Sequence, residues 1–91
     1  MTNKNTLAQL ADRDTLTREL RGLILESLVP LDDDELGNDS PLVDEILDSL
    51  GIAEMAVFIE DRIGRPLRPE EEVRATFASV NAVVDFILIN A

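Results

Sequence analysis

Two apolar runs at helical spacing, parted by a stretch too rich in turn formers and like charges to continue either one, set the first limit on this fold. Leu16, Leu20, Leu23, Ile24 and Leu28 recur every three or four residues among Arg18, Glu19, Arg21 and Glu26, and Pro30 stops the run. The spacing predicts helix one over roughly residues 14 to 29. From Pro30 to Leu47 the chain holds Asp32-Asp33-Asp34-Glu35, Gly37-Asn38-Asp39-Ser40 and Pro41, which reads as a long loop. Such loops are uncommon in small domains unless they serve a function. The loop's own apolar residues, Leu31, Leu36, Leu42, Val43, Ile46 and Leu47, predict that it is pinned to the core.

The second run, from Ser49 to Ile63, is apolar over a wide arc through Leu50, Ile52, Ala53, Met55, Ala56, Val57, Phe58 and Ile59, and Gly64 and Pro66 end it. Between Leu67 and Phe77, Arg68-Pro69-Glu70-Glu71-Glu72 fits the start of a short third helix. Ser79 then fits an N-cap for a last helix, in which Val80, Val83, Val84 and Ile87 keep the i, i+3, i+4, i+7 pattern despite their β-branching. Residues 1 to 12 carry no sustained period and read as a flexible leader, leaving residues 13 to 91 as the domain. The expected fold is all-α: a small bundle of four helices, three long and one short, with a long loop between helix one and helix two.

With 19 acidic residues against 8 basic ones the formal net charge is -11, which opposes binding to a phosphate backbone and points to basic protein partners. The same acidity favours a monomer. The three aromatic residues are all Phe, so a stacking platform for bases is absent. No Cys is present, hence no disulfide framework, and no window approaches the ~18 apolar residues of a membrane span. The polar start, Met1-Thr2-Asn3-Lys4-Asn5-Thr6-Leu7-Ala8, does not resemble a signal peptide, and a cytoplasmic location is expected. The chain also lacks His, and Lys4 is its only lysine, so it has few side chains suited to covalent chemistry at neutral pH.

The residues that stand out against this background are Ile46-Leu47-Asp48-Ser49-Leu50, at the junction of acidic loop and helix two. Taken alone, the triplet Asp48-Ser49-Leu50 is accounted for if either Asp48 or Ser49 caps the helix. Taken with the order of elements around it, the segment resembles the attachment site of the acyl carrier protein family, whose serine bears 4'-phosphopantetheine. The resemblance covers about residues 14 to 90. Asp39-Ser40-Pro41-Leu42 is similar to the family's loop segment that docks a leucine in the core, and Ala75-Thr76-Phe77-Ala78-Ser79-Val80 to its connection into the last helix.

This resemblance implies that Ser49 carries covalent 4'-phosphopantetheine, added from coenzyme A by a phosphopantetheinyl transferase, with Asp48 helping to present the site. A phosphodiester at the N-terminus of a helix would meet unpaired N–H groups and the positive end of the macrodipole. Cargo would ride as a thioester, loaded and removed by partner enzymes, and the carrier itself would not be an enzyme. On a helical wheel Ile52, Met55, Ile59 and Ile63 form one stripe, and Leu50, Ala53, Glu54, Val57 and Asp61 another. The second stripe is similar to the family's recognition face, with Glu60, Asp44, Glu45 and Asp48 extending an acidic rim that would draw loading enzymes, transferases and synthases with basic docking surfaces. The plainer alternative makes Leu50 and Val57 core and the acids a solvated face.

Two departures bear on the subfamily. Gly51 stands where fatty-acid carriers usually have an acidic residue, and Leu47-Asp48-Ser49-Leu50-Gly51 looks closer to aminoacyl and D-alanyl carriers. The Gly-Gly that precedes the serine motif in many peptidyl carrier domains is absent, and the initial Met suggests a free-standing carrier. The cargo stays open between an acyl group of fatty-acid or polyketide biosynthesis and an amino acid. Two other classes compete. Asp32, Asp34 and Gly37 partly match a calcium-binding EF-hand loop, but Leu36 and Val43 stand where ligands are needed, and no metal site is assigned. The chain could also be an acidic helical adaptor that is never modified.

Overall fold

The computed structural model describes residues 3–43 and 45–90. Three helices make the frame: α1 (Asn3–Leu23), α2 (Ser49–Ile63) and α3 (Val80–Asn90). Among the described residues there is no strand, only an isolated bridge between Val43 and Leu47. α3 is the hub, packing against both α1 and α2. Its four periodic residues, Val80, Val83, Val84 and Ile87, are all buried, so tertiary burial overrides the strand preference of valine and isoleucine. The Ser79 hydroxyl accepts the Ala82 N–H at 3.1 Å, supplying the expected cap.

α1 starts at Asn3, well ahead of residue 14, so the segment expected to be a flexible leader is helical from its third residue. Residues 3 to 13 hold neither Gly nor Pro and include two Leu and two Ala with Lys4, Gln9 and Arg13, and such residues extend a helix without an apolar period. At its other end α1 loosens into a π-helical turn over Ile24–Leu28, closed by the Val29 N–H on the Ile24 carbonyl at 3.1 Å. Val29 is extended, as the ring of Pro30 requires of the residue before it.

The long loop is held down as its leucines predict. Leu36, Leu42 and Leu47 enter the core beside Leu20, Ile24, Met55 and Ile59. Arg21 gathers its first half: the guanidinium donates to the carbonyls of Leu36 and Asp33 and to the side chains of Asn38 and Asp33. Its second half is tied to α3 and the chain leading into it, through the Leu42 N–H on the Ala78 carbonyl at 3.0 Å and the Asn81 N–H on the Asn38 carbonyl at 3.0 Å.

The short third helix expected between Leu67 and Phe77 does not form. Only a 3-10 turn, Pro69–Glu71, is present, and successive i to i+3 bonds from Val73 to Ala78 carry the chain to α3. Leu67 and Phe77 are both buried anchors, and the Glu71 carboxylate, drawn back onto Arg65 and the Arg68 N–H, fastens the start of the turn.

Candidate functional site

The approach to α2 is built by one buried leucine. The Leu42 carbonyl accepts the N–H groups of Ile46 at 3.2 Å and Leu47 at 2.8 Å, folding the chain so that Leu47 returns to the core. Asp48 follows as the N-cap in extended conformation, its Oδ1 accepting the Gly51 N–H at 2.9 Å. Ser49 is therefore the first residue of the helix and not its cap, and it is exposed. The capping work that alone could have explained the serine belongs to its neighbour.

Ser49 stands at the edge of an open groove of about 520 Å³ lined by Val43, Ile46, Leu47 and Ile52 on the apolar side and Glu45 and Asp48 on the acidic side. Among the described residues that line it, none is basic. An anion on Ser49 would thus find its stabilisation in the backbone at the helix start and not in a cationic side chain. Since the chain has no His, the hydroxyl has no imidazole base of its own. The arrangement can present a serine to another protein's chemistry but lacks the partners of a hydrolytic triad.

The two stripes of α2 separate as their spacing predicts. Met55 and Ile59 are fully buried, and Ile52 and Ile63 partly so. Leu50, Ala53, Glu54, Val57 and Asp61 are all exposed, with Leu50 at 71% and Val57 at 57%, values that exclude both from the core. Apolar side chains and carboxylates thus share one solvent-facing stripe that begins next to Ser49. Glu45 is exposed and joins that acidic neighbourhood through the groove. Asp44, expected beside it, lies outside the described residues. Glu60 is placed differently: half-buried, it accepts the Leu67 N–H through Oε2 at 2.8 Å and so fastens the turn after α2.

Residues that sequence spacing did not single out also shape the site. Arg21 holds the loop, and Gly51 is buried where a Cβ would press on Leu47. Each contact joins residues across a turn or across the loop, and helical periodicity carries no signal for such pairs. Among the described residues no group of three or more carboxylates converges as a metal site would require. No helix among them is long and apolar enough to cross a membrane.

The far end of α2 is charged but closed. Gly64 adopts the left-handed conformation (φ 76°) that ends the helix, its N–H on the Glu60 carbonyl at 2.9 Å. Arg65 and Glu71 form a two-pronged pair at 2.8 and 2.9 Å, which with the Arg68 N–H holds the Glu71 carboxyl down at about 2. Arg62 lies over the Phe58 ring, 4.3 Å from its centre, and pairs with Glu19 at 3.0 Å.

The sequence matches no family model, and neither a curated protein nor a solved structure is significantly similar to it.

Proposed function

We propose that this chain is a carrier protein: Ser49 takes up 4'-phosphopantetheine from coenzyme A, and the thiol of that arm carries an acyl or aminoacyl group as a thioester between partner enzymes. The observation that carries the reading is the division of labour at the start of α2. Asp48 caps the helix, and the Ser49 hydroxyl stands exposed at the first helical residue, clear of the cap. The resemblance of Ile46-Leu47-Asp48-Ser49-Leu50 to the attachment segment of acyl carrier proteins gives that hydroxyl its chemistry. A chain without Cys or His gains a thiol by this route.

In this reading the protein is a cytoplasmic monomer and a substrate of the transferase, and catalyses nothing itself. Asp48 presents the serine. Leu50, Ala53 and Val57 meet an apolar patch on each partner, while Glu54, Asp61 and Glu45 meet its Arg and Lys residues. Partners would be the phosphopantetheinyl transferase, a loading enzyme and downstream transferases or synthases. The competing class is an unmodified acidic adaptor using the same exposed stripe.

Incubation of the purified chain with coenzyme A and a broad-specificity phosphopantetheinyl transferase, followed by intact mass measurement, tests the proposal. Wild type is expected to gain one arm and Ser49→Ala none, with equal helicity by circular dichroism. An unchanged wild-type mass, under conditions that load a control carrier, favours the adaptor.

A further inference from the structure

We propose that Gly51 is the positioning residue of the Ser49 turn, because a Cβ at position 51 would crowd Leu47 against the first turn of α2 and shift the turn that fixes where the Ser49 hydroxyl stands. What that hydroxyl then does rests on the carrier reading above. Gly51 is buried, two residues beyond Ser49. A Cβ built on it would lie 3.1 Å from Leu47 Cδ2, 3.2 Å from Leu47 Cβ and 3.5 Å from Asp48 Oδ1. The first two distances are tighter than carbon atoms keep in comfortable contact, about 3.5–4.0 Å.

Leu47 has little room to retreat. It is buried, and its N–H is fixed on the Leu42 carbonyl at 2.8 Å; Leu42 in turn is fully buried and bonded to the Ala78 carbonyl. A rotamer change can clear Cδ2, but Cβ is attached to the backbone, so relief at Cβ moves residue 47 itself. The next residue is the cap, whose Oδ1 holds the N–H of residue 51. Displacement therefore passes to Asp48 and Ser49 from both sides. The groove is disturbed with them, since Leu47, Asp48 and Ser49 all line it.

The sign of the effect separates this role from indifference. Gly is among the poorest helix formers, so with free space at position 51 a change to Ala would raise stability. The contacts with Leu47 reverse that gain; shortening Leu47 to Ala removes the Cδ2 contact and leaves the Cβ one, so it relieves the reversal only in part.

Four proteins test the inference: wild type, Gly51→Ala, Leu47→Ala and the double variant, each followed by thermal melts and by the initial rate of arm transfer from coenzyme A. Gly51→Ala is expected to melt below wild type and to lower kcat/KM for arm transfer on the order of tenfold, the scale on which a small misplacement of a reacting group acts. Measured against Leu47→Ala, the double variant is expected to lose less in melting temperature and in loading rate than Gly51→Ala loses against wild type, since Cδ2 is gone while Cβ stays. A Gly51→Ala protein that loads at the wild-type rate, while wild type loads normally, overturns the positioning role and leaves the carrier reading intact. A wild type that takes no arm removes the carrier reading and the positioning role together. The melts decide the steric contact in either case.

Discussion

The two ends of α2 use the same kinds of residue to opposite effect. At the C-terminal end nearly every polar group has a partner inside the molecule: Glu60 holds the Leu67 N–H, Arg65 holds Glu71 and Asn90, and Arg62 holds Glu19 while covering Phe58. At the N-terminal end the carboxylates of Glu45 and Glu54 and the side chains of Ser49, Leu50, Ala53 and Val57 face solvent, around a groove with no basic residue among the described ones that line it. Charges at one end close the fold. Those at the other remain available to a second molecule, and this asymmetry locates the candidate site more firmly than acidity alone, which is spread along the whole chain.

Stability should therefore follow the inner side of α2 and function its outer side at the serine end. The largest effect is expected from truncating the inner stripe: Ile59→Ala, at a fully buried position, should cost about 2–5 kcal/mol in chemical denaturation, as should Leu20→Ala. Val57→Ala, two residues away on the exposed stripe, should stay within about 0.5 kcal/mol. Equal losses at Ile59 and Val57 would break the comparison.

The closed end gives a pH signature. Glu71 ionises at about 2 when folded against an ordinary value of 4.5, first because Arg65 donates to its carboxylate and then because of the Arg68 N–H. A carboxyl lowered by folding contributes stability that is fully present above the unfolded value and is lost as pH falls through the folded one. Glu71→Gln should accordingly flatten the dependence of melting temperature on pH between about 4.5 and 2 while leaving transfer to Ser49 untouched at neutral pH. An undiminished acid slope in that variant would show that other carboxyls govern the window.

The smallest change in stability is expected from charge reversal on the exposed stripe. Glu54→Lys and Asp61→Lys should leave the melting temperature within a degree or two, as surface substitutions generally do, yet slow loading by partner enzymes several-fold at low salt, less so when salt is raised. Loss of stability equal to the loss of transfer would make the stripe structural.

Much of this was legible in the sequence where a repeat or a terminator carries it. Leu16, Leu20 and Ile24, the paired stripes of α2, the Ser79 cap and the anchoring of Leu36, Leu42 and Leu47 follow from helical spacing, capping chemistry and apolar content. The helical state of residues 3 to 12 was not, because intrinsic propensity without an apolar period is a weak signal. Nor was the replacement of the short helix by a 3-10 turn, since Pro69 and the acids after it suit the start of either. At the site, the motif pointed to Asp48 and Ser49, but which of them caps the helix, and that Gly51 lies against Leu47, are facts of three-dimensional contact.

The most direct test is peptide mapping by mass spectrometry of the protein purified from cells that also express an active phosphopantetheinyl transferase. The expected result is a single 4'-phosphopantetheine on the peptide containing Ser49 and on no other. A peptide that returns with an unmodified serine, from cells in which a known carrier is loaded, would contradict the claim that this hydroxyl is the tether.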